Sequence, residues 1–370
     1  MRAPVVIRFT VGKDLVFAAL SNKQDLIGLQ LGYKVRSTAH KSKDTRHQRR
    51  RRMVHATSYD NDAHPTSARV SVPLSKIQKK LPLRVLSPQD FAQWQRQGYV
   101  IVRNAVPAEN VARLKALLWN FEDKDPDDPT TWDTAARRDH PDAAITNTGM
   151  VEIYNHQLLW DNRMVPRIYD AFVDIWDVED LWVSIDRANL NTPNRGKRAS
   201  SGFIHWDANT SLDPLPISVQ GVLSLVHQDG GQIGGFQCVP WLFEHFDRWV
   251  KTQTHDRDPH RPDMTNLQDQ IVKPVLAPGD LLIFNSLLAH GVAANTSADQ
   301  VRMAQYISMA PADELDLVER EARIRCWREL VPPARAGFPG DPRNWEQTHA
   351  TTAQLTPLGE KLLGLKSWNL

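Results

Sequence analysis

The chain acquires a sustained hydrophobic pattern only from about Leu86 onward. Ser87-Pro88-Gln89-Asp90 reads as a helix start: a capping hydroxyl, a proline where no N–H is needed, and an early acid facing the helix dipole. Phe91, Trp94 and Gln95 continue at helical spacing, and Gly98 supplies the stop. Tyr99-Val100-Ile101-Val102 is a short buried strand. Pro107 then opens a second helix, with Val111, Leu114, Leu117 and Leu118 as its apolar stripe.

Residues 122–150 are rich in Asp, Pro and Thr and predict a long loop, after which helical spacing returns over 165–176. From there the period shortens. Strands are predicted over 181–190, 202–207, 217–226, 235–239, 271–275, 280–284 and 302–309, with Gly, Pro and Asn/Asp clusters between most of them. A helical insertion over 241–251 mixes apolar and polar faces. Many short strands with little helix between them predict a mainly β fold with flanking helices: a double-sheet jelly roll, cupin-like, forming one domain from about residue 86 to 370 with a helical C-terminal region.

Composition separates residues 1–80 from this body. Overall the chain is 41% hydrophobic and 24% charged with a net charge of +2. Residues 1–55 hold thirteen Lys/Arg against three Asp/Glu, a balance of +10 that leaves 56–370 at −8. With Arg49-Arg50-Arg51-Arg52 at its centre and no sustained period from Ala56 to Ser67, residues 1–80 read as a disordered basic arm. One alternative is an arm for nucleic acid or a membrane surface; another has translation starting at Met53, just after the arginines. The acidic body is a poor match for phosphate backbones, so no nucleic-acid partner is expected for it. No eighteen-residue apolar run suggests a membrane span, and Arg8, Lys13 and Asp14 interrupt any leader-like stretch. Two cysteines, Cys238 and Cys326, argue against a disulfide framework and suit the cytoplasm.

The candidate chemistry starts from His-x-Asp, whose spacing puts an imidazole and a carboxylate on one side of a strand. Four such triplets occur. His140-Pro141-Asp142 sits in a charged, proline-interrupted stretch. His245-Phe246-Asp247 lies in the helical insertion, where that spacing points the side chains apart. His227-Gln228-Asp229 ends a strand and runs into Gly230-Gly231. His205-Trp206-Asp207 continues a strand from Gly202-Phe203-Ile204. Spacing alone leaves His205 and His227 both open, and a hydrogen-bonded histidine at a strand end is the plainer reading of either. Downstream, Pro278-Gly279-Asp280-Leu281-Leu282-Ile283-Phe284 reads as a turn and a buried strand. His290-Gly291 follows, then Asn295-Thr296-Ser297, and Arg302 opens the next strand twelve residues beyond His290. Two imidazoles and one carboxylate on one face of a metal leave positions free for dioxygen and a chelating cosubstrate. An arginine can grip a carboxylate through two parallel bonds.

In these segments the chain resembles the phytanoyl-CoA dioxygenase family, as it does at Gly98-Tyr99-Val100-Ile101-Val102-Arg103, Val106-Pro107 and Gly234-Gly235-Phe236-Gln237-Cys238-Val239-Pro240. The resemblance covers about residues 86–310. It implies a double-stranded β-helix, Fe(II) held by His205, Asp207 and His290, 2-oxoglutarate gripped by Arg302, and O2 as the second cosubstrate. It also selects His205 over His227. The expected reaction hydroxylates a C–H bond of a small organic substrate with release of succinate and CO2; a carboxylate at Asp207 favours hydroxylation over halogenation. Two positions depart from the family: Trp241-Leu242 replaces glycine-serine, and Val292 stands where many members carry a hydroxyl for the cosubstrate. Gln220 is a candidate by position for that second cosubstrate contact. The alternatives are a jelly-roll metalloenzyme without 2-oxoglutarate, which Arg302 speaks against, and a non-enzymatic binding protein. Trp132, Trp160, Trp206 and Trp241 fit core packing or an apolar pocket.

Overall fold

The computed structural model describes residues 73–132, 148–193, 202–335 and 337–369, together with the strands β1 (Val5–Val11) and β2 (Asp14–Leu20). Those two strands pair antiparallel and stand as a unit of their own. Where the sequence reads as a disordered arm, the chain therefore carries a hairpin. The arginine run, Met53, the 56–67 stretch and His140-Pro141-Asp142 lie outside the described residues.

In the body, α1 (Pro88–Gln97) begins at a reciprocal capping box between Ser87 and Asp90 and ends at Gly98, whose φ of 76° is left-handed. It leads directly into β3 (Tyr99–Val102) and then α2 (Ala108–Phe121). The loop expected over 122–150 yields β4 (Met150–Val151) at its end, followed by α3 (Gln157–Arg163) and α4 (Pro166–Trp176). Strands β5 (Leu181–Val183), β6 (Ala188–Asn191), β7 (Val219–Ser224), β8 (Phe236–Cys238), β9 (Leu281–Asn285), β10 (His290–Val292), β11 (Arg302–Tyr306) and β12 (Met309–Pro311) complete the framework. The larger sheet is antiparallel in the order β3-β9-β7-β11-β6-β4.

The facing sheet is narrower. β8 pairs β10, and isolated bridges extend it to His205 on one side and Val272 on the other. The strands expected over 202–207 and 271–275 are present only as these bridges, because each touches its neighbour over one or two residues. The two sheets close into a jelly roll. Tyr99, Val222, Phe236, Cys238, Leu282 and Phe284 pack in the space between them. The other face of the larger sheet, carrying Val100, Leu223, Leu281, Ile283 and Met303, packs against the helices in a second and larger core. This is the alternation that a strand buried on both faces requires.

The single strands expected over 181–190 and 302–309 are each broken in two. β12 meets β5 with Met309 opposite Val183, whereas β11 meets β6 with Arg302 opposite Asn191, one residue out of step. Ser184 N–H donates to Ser308 and Tyr306 N–H to Arg187, so Ile185 and Asp186 together oppose Ile307. That is a β-bulge. Beyond the bulge the helical insertion appears as α5 (Pro240–Glu244) and α6 (Phe246–Trp249), and the C-terminal region as α7 (Leu317–Glu329), α8 (Trp345–His349) and α9 (Pro357–Leu363). Among the described residues no helix is long and apolar enough to cross a membrane. Both cysteines are buried and free.

One buried carboxylate of the C-terminal region clamps the chain just after β4. Glu346 is buried and accepts the N–H groups of Tyr154 and Asn155, both at 2.7 Å. Burial pushes its pKa up to about 7, although those backbone bonds and Arg163 pull the other way. A carboxyl whose pKa is higher folded than unfolded favours folding most when protonated, so stability declines as pH climbs from about 4.5 towards 7. The decline from this group is on the order of 3 kcal/mol. Urea unfolding at stepped pH should show it, and Glu346→Gln should flatten the slope while lowering stability at pH 5. An unchanged slope in the variant would assign the pH dependence elsewhere.

Candidate metal centre

His205 and His290 are 85 positions apart in the chain, yet they are direct partners in space. The N–H of His205 donates to the His290 carbonyl at 2.8 Å, and the N–H of His290 donates back at 2.9 Å. Their rings lie 4.6 Å apart, and both reach Asp207: His205 Nε2 is 3.1 Å from Oδ1 and His290 Nε2 3.2 Å from Oδ2. Among the described residues these three form the one group whose ligand atoms, all within 4.8 Å of one another, could hold a metal.

Each side chain is oriented by its surroundings. His290 Nδ1 sits 2.9 Å from the Leu288 carbonyl, which can only accept, so Nδ1 carries a proton and Nε2 is the atom left for the site. The rings of Phe236 and Phe284 flank His290 at 5.7 and 4.3 Å. Trp206 is fully buried between the two site residues; its indole N–H donates to the Leu287 carbonyl and its ring meets Phe246 and Trp249 edge-on. With Trp206 anchored on the far side, His205 and Asp207 must both face inward. Burial alone would raise the Asp207 carboxyl. The interactions with His290 and then His205 outweigh it and hold the carboxyl well below its usual range.

Gly291 explains how the strands come so close. A Cβ there would lie 1.7 Å from the Phe203 carbonyl oxygen, a distance no side chain tolerates. Arg302 is buried at the start of β11, where Nη1 donates to Asn189 Oδ1 at 2.7 Å and Nε has no hydrogen-bond partner. It has no carboxylate partner among the described residues. A guanidinium taken out of water with an unused donor costs free energy unless a partner meets it.

Gln220 lies beside the cluster. Its amide donates to Asp207, through a short bond to Oδ2, and so bears on the carboxylate of the cluster. The rejected triplets also resolve. Asp229 accepts Gly231 N–H and builds a turn, and His245 bonds back to the Trp241 carbonyl within the helical insertion. Trp132, Trp160 and Trp206 are core residues, while Trp241 is partly exposed and stacks on His245. Three features had no signal in the sequence: the Leu288 carbonyl behind His290, Asn189 beside Arg302, and Trp206 as the anchor between two site residues.

The family model for phytanoyl-CoA dioxygenase matches residues 94–304, more than half of the chain. The chain belongs to the phytanoyl-CoA dioxygenase family. With the family come Fe(II) as cofactor and 2-oxoglutarate and O2 as cosubstrates, and two imidazoles with one carboxylate are the donor set that this chemistry calls for. A curated relative from Aspergillus versicolor, Ava biosynthesis cluster protein O, is 25% identical over 292 residues, 72% of this chain and 93% of the relative. Two solved structures share the fold. A hypothetical protein from Escherichia coli has a TM-score of 0.55 at 16% identity, over 75% of this chain and 82% of its own. GlcNAc Inducible Gene 2 from Candida albicans has a TM-score of 0.55 at 12% identity, over 76% and 77%.

Within this dioxygenase family member, two substitutions probe the cluster. Gly291→Ala should cost roughly 1–3 kcal/mol of stability by forcing the strands apart. It should also weaken Fe(II) binding more than about tenfold; thermal unfolding and metal titration read the two effects. Gln220→Ala leaves the fold intact and should weaken Fe(II) binding about tenfold by freeing Asp207. Wild-type affinity in both variants would contradict the positioning roles of Gly291 and Gln220.

Proposed function

We propose that the protein is a 2-oxoglutarate-dependent hydroxylase in which His205, Asp207 and His290 hold Fe(II) and Arg302 binds the distal carboxylate of 2-oxoglutarate. The reaction couples oxidative decarboxylation of 2-oxoglutarate, giving succinate and CO2, to hydroxylation of a substrate C–H bond. The bound iron supplies the activation of dioxygen. The observation that carries the reading is the pairing of a three-ligand cluster with a buried arginine in one sandwich, the arginine lacking a carboxylate partner among the described residues. A metalloenzyme without a dicarboxylate cosubstrate would have no use for a cation buried there.

The chain's own residues divide the work. Asp207, held ionised, and the two imidazoles would hold the metal. Asn189 turns the Arg302 fork into place. Phe236 and Phe284 keep water from the His290 side. The relative's place in a biosynthesis cluster supports a small organic molecule as substrate. A reducing compartment, the cytoplasm, suits the two free thiols.

Anaerobic titration with Fe(II) and 2-oxoglutarate should raise a visible charge-transfer band. His205→Ala should abolish it, and Arg302→Ala should demand about 10–100-fold more 2-oxoglutarate to reach it. A band that survives His205→Ala unchanged would sink this assignment.

A further inference from the structure

The candidate metal cluster is not equally closed on all sides. The side chains of His290 and Asp207 are 8% and 11% exposed, whereas that of His205 reaches 23%. Phe236 and Phe284, the rings beside His290, are both buried, and so is Trp206. The ring beside His205 is Phe203, and it is 46% exposed. A molecule arriving from solvent therefore meets Phe203 and His205 before the other two side chains.

Phe203 stands two residues before His205, so strand alternation turns both side chains the same way. The rings bear this out: their centroids are 4.9 Å apart, with a tilt of 41°. Asp207 lies two residues further on, which makes one row of aromatic ring, imidazole and carboxylate. His205 Nδ1 is buried without a hydrogen-bond partner, so water does not reach the imidazole at that atom.

The backbone under the ring is fixed. Gly202 has a left-handed φ of 79°, and a Cβ on it would lie 3.2 Å from the Val292 carbonyl oxygen. The Phe203 carbonyl oxygen is pressed against Gly291 and also accepts Gln237 Nε2 at 3.4 Å. Strands β8 and β10 thus hold the segment from which the ring projects. Single exposed hydrophobic side chains are ordinary on a protein surface and need no ligand. This one differs, because it rises from a pinned backbone, touches a metal-ligand imidazole and still faces water. An apolar group laid on it leaves water at little cost in ordering the protein.

We propose that Phe203 is a substrate-contacting specificity residue, and that the substrate presents an apolar group beside the C–H bond to be hydroxylated. This rests on the reading of the site as an iron oxygenase, which makes the occupant of that face a substrate. The ring takes up no proton and holds no metal; it selects by the apolar area it covers. A substrate ionised or heavily hydroxylated at this point would lose hydration against the ring and gain no hydrogen bond from it. 2-Oxoglutarate, ionised at both ends, is a poor match for the same reason.

The test uses metal-free full-length protein and ligand-observed NMR with neutral probes. Benzyl alcohol and 1-hexanol should each bind about tenfold tighter than 1,2,6-hexanetriol. Phe203→Ala should cut that preference to about twofold with the melting temperature unchanged, and Phe203→Leu should retain more of it. With Mn(II) titrated in, relaxation of the benzyl alcohol protons should quicken in the wild type and far less in Phe203→Ala. No preference for the apolar probes, or one that survives Phe203→Ala, overturns the proposal. So does unquickened relaxation once Mn(II) is bound. A Phe203→Ala variant that binds Mn(II) more weakly but keeps its probes also overturns it, since the ring would then only shield His205. Failure of Mn(II) to bind counts against the metal reading instead, and the metal-free comparison still decides the role of Phe203.

Discussion

The reciprocal backbone bonds between His205 and His290 are what the rest of the site depends on. They join segments that belong to different parts of the chain, and they do so at the narrow end of the smaller sheet, where few other ladder bonds exist. Side-chain geometry then follows from backbone geometry. Once the two residues are cross-strand partners, both imidazoles project to one side, and the two-residue spacing brings Asp207 to the same side. Gly291 lets the strands approach, and Trp206 prevents the pair from rolling outward.

Charge inside the sandwich is arranged around this contact. Asp207 has partners on every side and stays ionised despite its burial. Arg302, by contrast, is buried with its Nε unpartnered. Burying a cation without a carboxylate beside it opposes folding, and among the described residues Arg302 is such a cation.

The larger core lies outside the sandwich, between the main sheet and its helices. It rigidifies the strands that carry Gln220, Arg302 and Tyr306. The C-terminal region adds a second support: Glu346 clamps the chain after β4, and Phe338 and Gly340 close over Arg187 and Glu152.

Local order was legible wherever a few neighbouring residues decide it. Ser87, Asp90 and Gly98 bound a helix because their side chains or backbone freedom satisfy its ends. His205, Asp207, His290 and Arg302 could be picked out because strand spacing and an ordered set of motifs survive in a linear reading. That reading left His227 open until the family resemblance removed it, and it did not foresee the bond from Gln220 to Asp207, since nothing local says which carboxylate an amide will reach. The bulge at Ile185–Asp186 was invisible too, because an extra residue is defined only against the partner strand it fails to match. By itself, then, the sequence determined the elements, their polarity and the residue types available for chemistry. Tertiary structure decided which of them face each other, because contacts between remote strands depend on register and closure, which no short window of residues contains.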